Sequence, residues 1–504
     1  MILLGLDAGS TAIKCVAFSE EGRQLALAYT EYGTSAGEGN MDADAMFAAA
    51  KQVIARCTAD DAVDASDIAA IAVTSFGEAC VPVDHDGACL SNMLMYTDNR
   101  GQLEAKRVLD SLGADRVGEI TCTEFAPMYS LPKIIWLMEN DSTVRERAYK
   151  FLQAADFICY RLSGALTSNY AHACRTAAFD VEARRFSEEI LGAAGLDPAL
   201  MPDPVPCGTV VGTILPDLAA ELGLPASMRV VQGSHDQIAA ATGAGVLAPG
   251  QAVDGTGTVE CITPVFDHII RDREFVGSNF ACVPHSVEGL YATYAFNFSG
   301  GVLLKWIRDS FASEERRRAS ELGCSAYKLL DEACPSEISD LLVVPHFLGA
   351  GGTPDVVPTA KGSIIGMTMQ TGVGEIYRAA MEGLTYEMAY NLEKLAPFGI
   401  SITDLMATGG GSCSPIWLRI KADIFGAVSG IRSITPLLTA EAGAAGCAML
   451  AGVAVGLYSS LDEAAKLFVL RGEPVVPDAS VADRYIEKYE KYKKIRNFAL
   501  DMYR

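Results

Sequence analysis

Short apolar runs parted by turn residues open the chain. Ile2–Leu6, Ile13–Phe18 and Leu25–Tyr32 are rich in β-formers, with Gly9-Ser10 and Glu21-Gly22 between them. This pattern predicts three antiparallel strands. The period changes after Asp42, where Met46, Ala49, Ala50, Val53, Ile54 and Cys57 recur at helical spacing behind an Asp start signal. A helix is expected there. Ile68–Thr74 returns to a strand, and strand and helix patterns keep alternating, so the predicted class is α/β.

Met228–Gln232 reads as another strand that runs into Gly233-Ser234-His235-Asp236, and a small-residue helix follows from Gln237 to Gly243. Ala248-Pro249-Gly250 then marks a turn and a boundary, which divides the chain into residues 1–247 and 248–504. Beyond it, Gln251–Asp254 and Thr258–Thr263 flank Gly255-Thr256-Gly257, a hairpin pattern like the opening one. A hairpin at the head of each half is a weak internal repeat, placed where a duplicated two-domain protein puts it. Gly374–Leu395 and Ala482–Tyr503 have long helical patterns. In the last, Tyr485, Tyr489 and Tyr492 form a stripe among lysines. That stripe suits a partner-binding helix or one that packs its aromatic side on the body with its lysines in water, and the second reading is preferred.

Composition narrows the function classes. The chain has 504 residues, half of them apolar, which is enough for two large domains. Against 40 Lys and Arg stand 63 Asp and Glu, a net charge of -23, which disfavours a nucleic-acid footprint. The same charge repels nucleotides at long range. A phosphate site here has to be built locally, from backbone amides, helix N-termini and a metal ion. The 14 Cys are scattered without a C-x-x-C pair, and the six His do not cluster. Reduced thiols in a cytoplasmic protein are expected, with no zinc site. Ala442–Tyr458 carries no charge but is built mainly from Ala and Gly. It is shorter than the roughly 20 residues that span a bilayer, so a close-packed core helix is expected.

Four segments carry candidate chemistry. Gly5-Leu6-Asp7-Ala8-Gly9-Ser10-Thr11-Ala12-Ile13-Lys14 delivers Asp7 to the end of a strand, followed by a turn of small residues, two hydroxyls and a cation. Such a turn suits a phosphate, and Asp7 suits Mg²⁺ held through water. A plain β-turn wants the same residues. Asp254-Gly255-Thr256-Gly257-Thr258 repeats that chemistry, with the same two readings. Asp236 stands at a strand-to-helix junction, where a carboxylate serves as an N-cap or as a general base; His235 beside it reads as structural. Gly409-Gly410-Gly411 admits a close ligand or forms an ordinary loop, and Ser414-Pro415 reads as an N-cap and first helical residue.

In this order the four segments resemble the FGGY carbohydrate kinases of the actin/hexokinase-like ATPase superfamily. Further motifs agree: Asp156-Phe157-Ile158 with Arg161-Leu162-Ser163-Gly164, Thr176-Ala177-Ala178-Phe179-Asp180, Gly300 to Asp309, Gly409 to Asp423, and Glu441 to Gly446. The resemblance implies two RNase H-like domains with ATP and a sugar in the cleft between them. It implies Mg²⁺ at Asp7 and Asp236, and a first phosphate loop of Gly9, Ser10, Thr11 and Lys14. A second phosphate loop falls on Thr256 and Gly257, and nucleoside contacts on Gly301, Lys305, Gly410, Gly411 and Ser414. Asp236 becomes the catalytic base; Gln237, Ser75, Phe76, Gly77, Glu78 and Met128 become sugar contacts. A homodimer is a common family outcome.

Some residues depart from the pattern. Xylulokinases typically carry Met-His, and glycerol kinases Arg-Glu, where this chain has Gly77 and Glu78. The family's Trp ahead of the Asp98-x-Arg100 motif is Tyr96. The expected reaction is transfer of the ATP γ-phosphoryl group to a primary hydroxyl of an open-chain sugar. Xylulose is the leading acceptor, with fuculose, ribulose, gluconate, glycerol or another polyol as alternatives, and a non-sugar actin-like ATPase as a distant one.

Overall fold

A computed structural model describes residues 1–32, 39–439 and 441–504. The opening pattern forms β1 (Ile2–Ala8), β2 (Ala12–Ser19) and β3 (Gln24–Glu31), each pair antiparallel. Helix α1 (Ala43–Thr58) starts where Asp42 accepts from the Ala45 amide. Next come β4 (Ile68–Ser75), α2 (Ala154–Ser163), the short helix α3 (Tyr170–Cys174), β5 (Val210–Thr213) and β6 (Arg229–His235). The sheet order is β5-β6-β4-β1-β2-β3, with β4 parallel to both β1 and β6. Helix α4 (Asp236–Gly243) leaves the end of β6.

The second half repeats this plan. β7 (Gln251–Thr256) and β8 (Glu260–Phe266) form the hairpin, and β9 (Ala295–Asn297) pairs with β8. After α5 (Gly301–Phe311) and α6 (Val373–Leu395), β10 (Asp404–Thr408) lies parallel to β7. Helix α7 (Pro415–Ser429) connects β10 to β11 (Ser433–Pro436), which is parallel to β10. In both halves a hairpin opens the sheet, and its first strand takes the next strand in parallel. The α/β class and the duplicated two-domain plan therefore hold.

β1 is buried on both faces. Leu4 and Leu6 pack toward α1, while Leu3 joins the cluster containing α8 (Ala442–Ala454). Helix α8 thus lies on the first sheet although it comes from the second half of the sequence. Its small residues explain the close approach. A Cβ at Gly446 would meet the Ala239 carbonyl oxygen of α4 at 2.0 Å, and one at Gly5 would meet that of Ala444 at 2.1 Å. Gly446→Val is expected to lower stability by about 1–3 kcal/mol through overpacking. Urea unfolding would read this as an earlier midpoint, and an unchanged midpoint would contradict the packing argument. Among the described residues, no helix is long and apolar enough to cross a membrane.

The terminal helix α9 (Ala482–Asp501) buries Tyr485, Tyr489 and Tyr492, as the packing reading requires. One lysine departs from the expectation of solvated lysines. Lys488 is buried and pairs with Glu382 of α6 at 2.5 Å, because a cation under the helix is tolerated once a buried carboxylate meets it.

Candidate active site

Two strand ends bring the first carboxylates together. Asp7 stands next to the end of β1 and pairs across the hairpin with Lys14, whose Nζ lies 3.3 Å from Asp7 and 2.7 Å from Glu441. Asp236 begins α4, directly after β6, and its Oδ1 accepts from the Gln237 amide at 2.6 Å. The N-cap position belongs to His235 rather than Asp236, whose side chain is 32% exposed. Protein surrounds the carboxylate yet leaves it a window on solvent. This desolvation pushes its pKa up to about 6, against the pull of Gln237, Arg175 and Lys14. Burial raises Asp7 as well; Lys14 opposes the shift and the Asp236 charge adds to it.

Two facing carboxylates in a partly open cleft fit Mg²⁺, which uses one or two carboxylates, substrate phosphates and its own waters. Among the described residues no group of three or more His, Cys, Asp or Glu could hold a metal.

The first hairpin turn is braced from within. The Gly9 amide donates to the Ala12 carbonyl at 2.9 Å, and the Tyr32 hydroxyl donates to the Gly9 carbonyl. Thr11 is exposed and Ser10 is partly so at the tip. At the second hairpin, Thr256 is buried and its hydroxyl donates to Asp254 at 2.9 Å while accepting from Lys421 at 2.7 Å. Glycines let other segments close on this tip. A Cβ at Gly409 would meet the Thr256 carbonyl at 2.5 Å, at Gly411 the Thr256 Cγ2 at 2.6 Å, and at Gly301 the Gly257 carbonyl at 2.6 Å. Gly410 differs, with open space where a Cβ would stand.

Beside this tip lies a cavity of about 750 Å³, lined by Thr256, Gly301, Tyr327, Tyr377, Gly410 and Trp417 among others. The volume suits a nucleoside. Ser414 caps α7 as expected, accepting from the Trp417 amide at 3.3 Å, and donates to Asp331 at 3.0 Å. Lys305 is exposed on α5 and lies outside the cavity lining.

The expected sugar contacts divide into two groups. Ser75 is fully buried; its hydroxyl donates to the Phe76 carbonyl at 2.8 Å and accepts from the Ala155 amide at 2.9 Å, so it braces the strand end. Phe76 is buried beside it. Gly77 and Glu78 turn toward Arg175, which sequence reasoning passed over although it directly precedes Thr176-Ala177-Ala178-Phe179-Asp180. Arg175 directs Nε and Nη2 at Glu78 Oε1. Tyr129 and Tyr294 face its guanidinium at 5.0 and 5.5 Å. Lys133, buried and without a carboxylate partner in its hydrogen bonds, donates to the carbonyls of Pro127, Met128 and Tyr129 and so fixes the Met128 loop. His235 fits its structural reading: its Nδ1 lies 3.0 Å from the Tyr294 hydroxyl, and burial lowers its pKa to about 3, keeping the ring neutral.

A hairpin-headed duplicated α/β fold, two carboxylates between the halves and a nucleoside-sized cavity define a phosphotransferase-type architecture. The family model for the N-terminal domain of the FGGY family of carbohydrate kinases matches residues 2–243, and that for the C-terminal domain matches 254–455. The chain belongs to the FGGY family of carbohydrate kinases. It is 26% identical over 505 aligned positions to a xylulose kinase of Bacillus subtilis, covering 99% of this chain and 97% of that one. It is 27% identical to an autoinducer-2 kinase of Escherichia coli, covering 98% and 93%. Its fold matches the crystal structure of a gluconate kinase from Lactobacillus acidophilus with a TM-score of 0.88 at 22% identity, over 100% and 99% of the two chains.

Proposed function

We propose that this sugar kinase uses Mg²⁺ and ATP to phosphorylate a primary hydroxyl of an open-chain sugar, with a ketopentose such as xylulose as the first candidate. The carrying observation is the convergence of Asp7 and Lys14, from the opening hairpin, with Asp236 at the start of α4. Residues 1–247 supply the acceptor side and residues 248–504 the nucleotide side, with α8 crossing back onto the first sheet.

Asp236 orients the acceptor hydroxyl and takes its proton as the bond to phosphorus forms. Ser10, Thr11 and Lys14 face the transferred group from one hairpin, with Gly9 shaping the turn. Thr256 and Gly257 face it from the other. Gly301, Gly410, Gly411 and Ser414 border the nucleoside, and Lys305, expected beside them, stands outside that lining. Gly77, Glu78, Met128 and Gln237 line the acceptor, with Ser75 and Phe76 behind them. Asp7 and Asp236 would hold the metal, which neutralises phosphate charge when bound.

The names of the relatives support a sugar-type acceptor and leave several open. A coupled ADP-release assay over pentuloses, hexuloses, sugar acids, polyols and autoinducer-2 tests the reading. ADP release in step with a sugar phosphate is expected. Steady ADP release without any phosphorylated acceptor would replace it with the ATPase reading.

The pH dependence follows from Asp236. Only its ionised form accepts a proton, so kcat/KM is expected to fall about tenfold per unit below roughly pH 6, the value to which burial raises it. A profile flat from pH 7 down to pH 5 would remove Asp236 as the base.

A further inference from the structure

Beside the base lies an ion pair that the phosphoryl transfer itself does not use. Glu78 and Arg175 are 6% and 7% exposed. From them a line of contacts runs to the reaction centre. Arg175 faces Tyr294, the Tyr294 hydroxyl meets His235 Nδ1 at 3.0 Å, and His235 Nε2 lies 3.4 Å from Asp236.

The pair is held at some expense to the backbone. Glu78 has φ 64° and Ala177, two residues past Arg175, has φ 58°, both left-handed without being glycine. Such a residue persists only where the surroundings hold it, and there it marks a functional constraint. Gly77 is required by the same arrangement, since a Cβ there would meet Arg175 Cγ at 2.8 Å and His235 Cδ2 at 3.0 Å. Gln153 accepts from the Glu78 amide at 3.1 Å and fixes that turn. For stability alone, an apolar pair of like volume would serve as well or better.

Its chemistry points to hydroxyls. Two guanidinium donors converge on one Glu78 oxygen. A guanidinium has five N–H donors and a carboxylate accepts on both oxygens, so each partner keeps capacity for a ligand. Neighbouring hydroxyls, one donating to the carboxylate and one accepting from the guanidinium, match that capacity. Charge points the same way. Asp7, Asp236, Glu78 and Glu441 stand near Lys14, Lys133 and Arg175, four carboxylates to three cations, and the Arg175 charge is already met by Glu78. A carboxylated acceptor would bring a further anion, while the Lys133 ammonium already commits its three donors to the carbonyls of Pro127, Met128 and Tyr129.

We propose that Arg175 is a specificity-determining residue of the acceptor site: with Glu78 it grips adjacent hydroxyls of a neutral polyhydroxy acceptor, and the pair rejects sugar acids. This rests on the sugar-kinase reading above.

The test begins with the parent enzyme on xylulose, ribulose, glycerol and gluconate. The best neutral acceptor is expected to exceed gluconate in kcat/KM by roughly 100-fold or more, the scale of discrimination by buried polar groups left unpaired. Gluconate equal to or better than the neutral acceptors overturns the proposal while leaving the kinase reading intact. If no acceptor is phosphorylated, the kinase reading falls and the proposal with it. The second arm is the double variant Glu78→Gln/Arg175→Met, which removes both charges at similar volume, with Arg175→Lys as the conservative comparison. The double variant should keep the parent melting temperature and KM for ATP but raise acceptor KM about tenfold or more, with Arg175→Lys in between. A folded double variant with parental acceptor KM overturns the proposal. If it does not fold, the four-acceptor comparison on the parent decides.

Discussion

Asp236→Asn is expected to lower kcat at least about 10²-fold while the protein stays folded and binds ATP. Asparagine keeps the shape of the side chain and, through its oxygen, can still accept from the Gln237 amide, now 2.6 Å away. What it loses is the charge. In the resting protein that charge is unfavourable: desolvation raises the Asp236 pKa to about 6, and its repulsion helps to raise Asp7. A carboxylate whose folded pKa lies above its unfolded value contributes nothing below the unfolded pKa and destabilises increasingly as pH rises through the folded one. At pH 7 to 8 the variant should therefore melt no lower than the parent. Stability that is kept or raised, together with activity lost, separates a reacting group from a structural one. KM for ATP should stay within about twofold. Turnover near the parent rate in the purified variant would end the assignment of Asp236 as base.

Much of the fold was legible because its signals are local. The opening hairpin, α1 and the α6 pattern follow from period two and period 3.6, and the structure moves their ends by a residue or two. The duplication was legible from two turns, Gly9-Ser10 and Gly255-Thr256-Gly257, because both sheets begin in the same way. What local pattern could not give was the placement of α8. Its glycines signalled close packing, yet that they meet Ala239 and the first sheet depends on the whole chain. The site shows the same division. Asp7 and Asp236 sit at strand ends, where sequence marks them. Arg175 and Tyr294 act through contacts between distant segments, and no spacing announces such contacts. Ser75 shows the opposite failure: a hydroxyl in the right segment, turned inward and committed to backbone groups.

Lys421 is the furthest from any sequence signal, and its removal should have the second large effect. It falls on an unspecified position between Ile420 and Ala422 in the Gly409 to Asp423 motif. In the fold it is 2% exposed and lies under the second hairpin between two carboxylates with no exposure, Asp254 and Glu260. Its Nζ is 2.8 Å from Glu260 and 2.7 Å from the Thr256 hydroxyl, and it also contacts Asp254. Burial pushes the Glu260 pKa up, Lys421 pulls it down, and Asp254 pushes it up again. One ammonium thus holds two carboxylates and the Thr256 hydroxyl. Lys421→Met keeps the length of the stem and leaves both carboxylates facing each other in the interior. Breaking a buried pair in this way should lower stability by about 3–5 kcal/mol at pH 8. The loss should shrink as pH falls. Without the ammonium the folded carboxylates hold protons that the unfolded chain has released, so folding takes up protons and gains from acid. Adding Glu260→Gln to the variant should recover part of the stability at pH 8, because it removes one of the two unpaired charges. KM for ATP should rise with little change in acceptor KM, since the proposed site puts the freed Thr256 hydroxyl on the nucleotide side. Urea unfolding at pH 6 and pH 8, with both KM values, reads all of this. A variant as stable as the parent at pH 8 would mean that Lys421 does not hold the triad together.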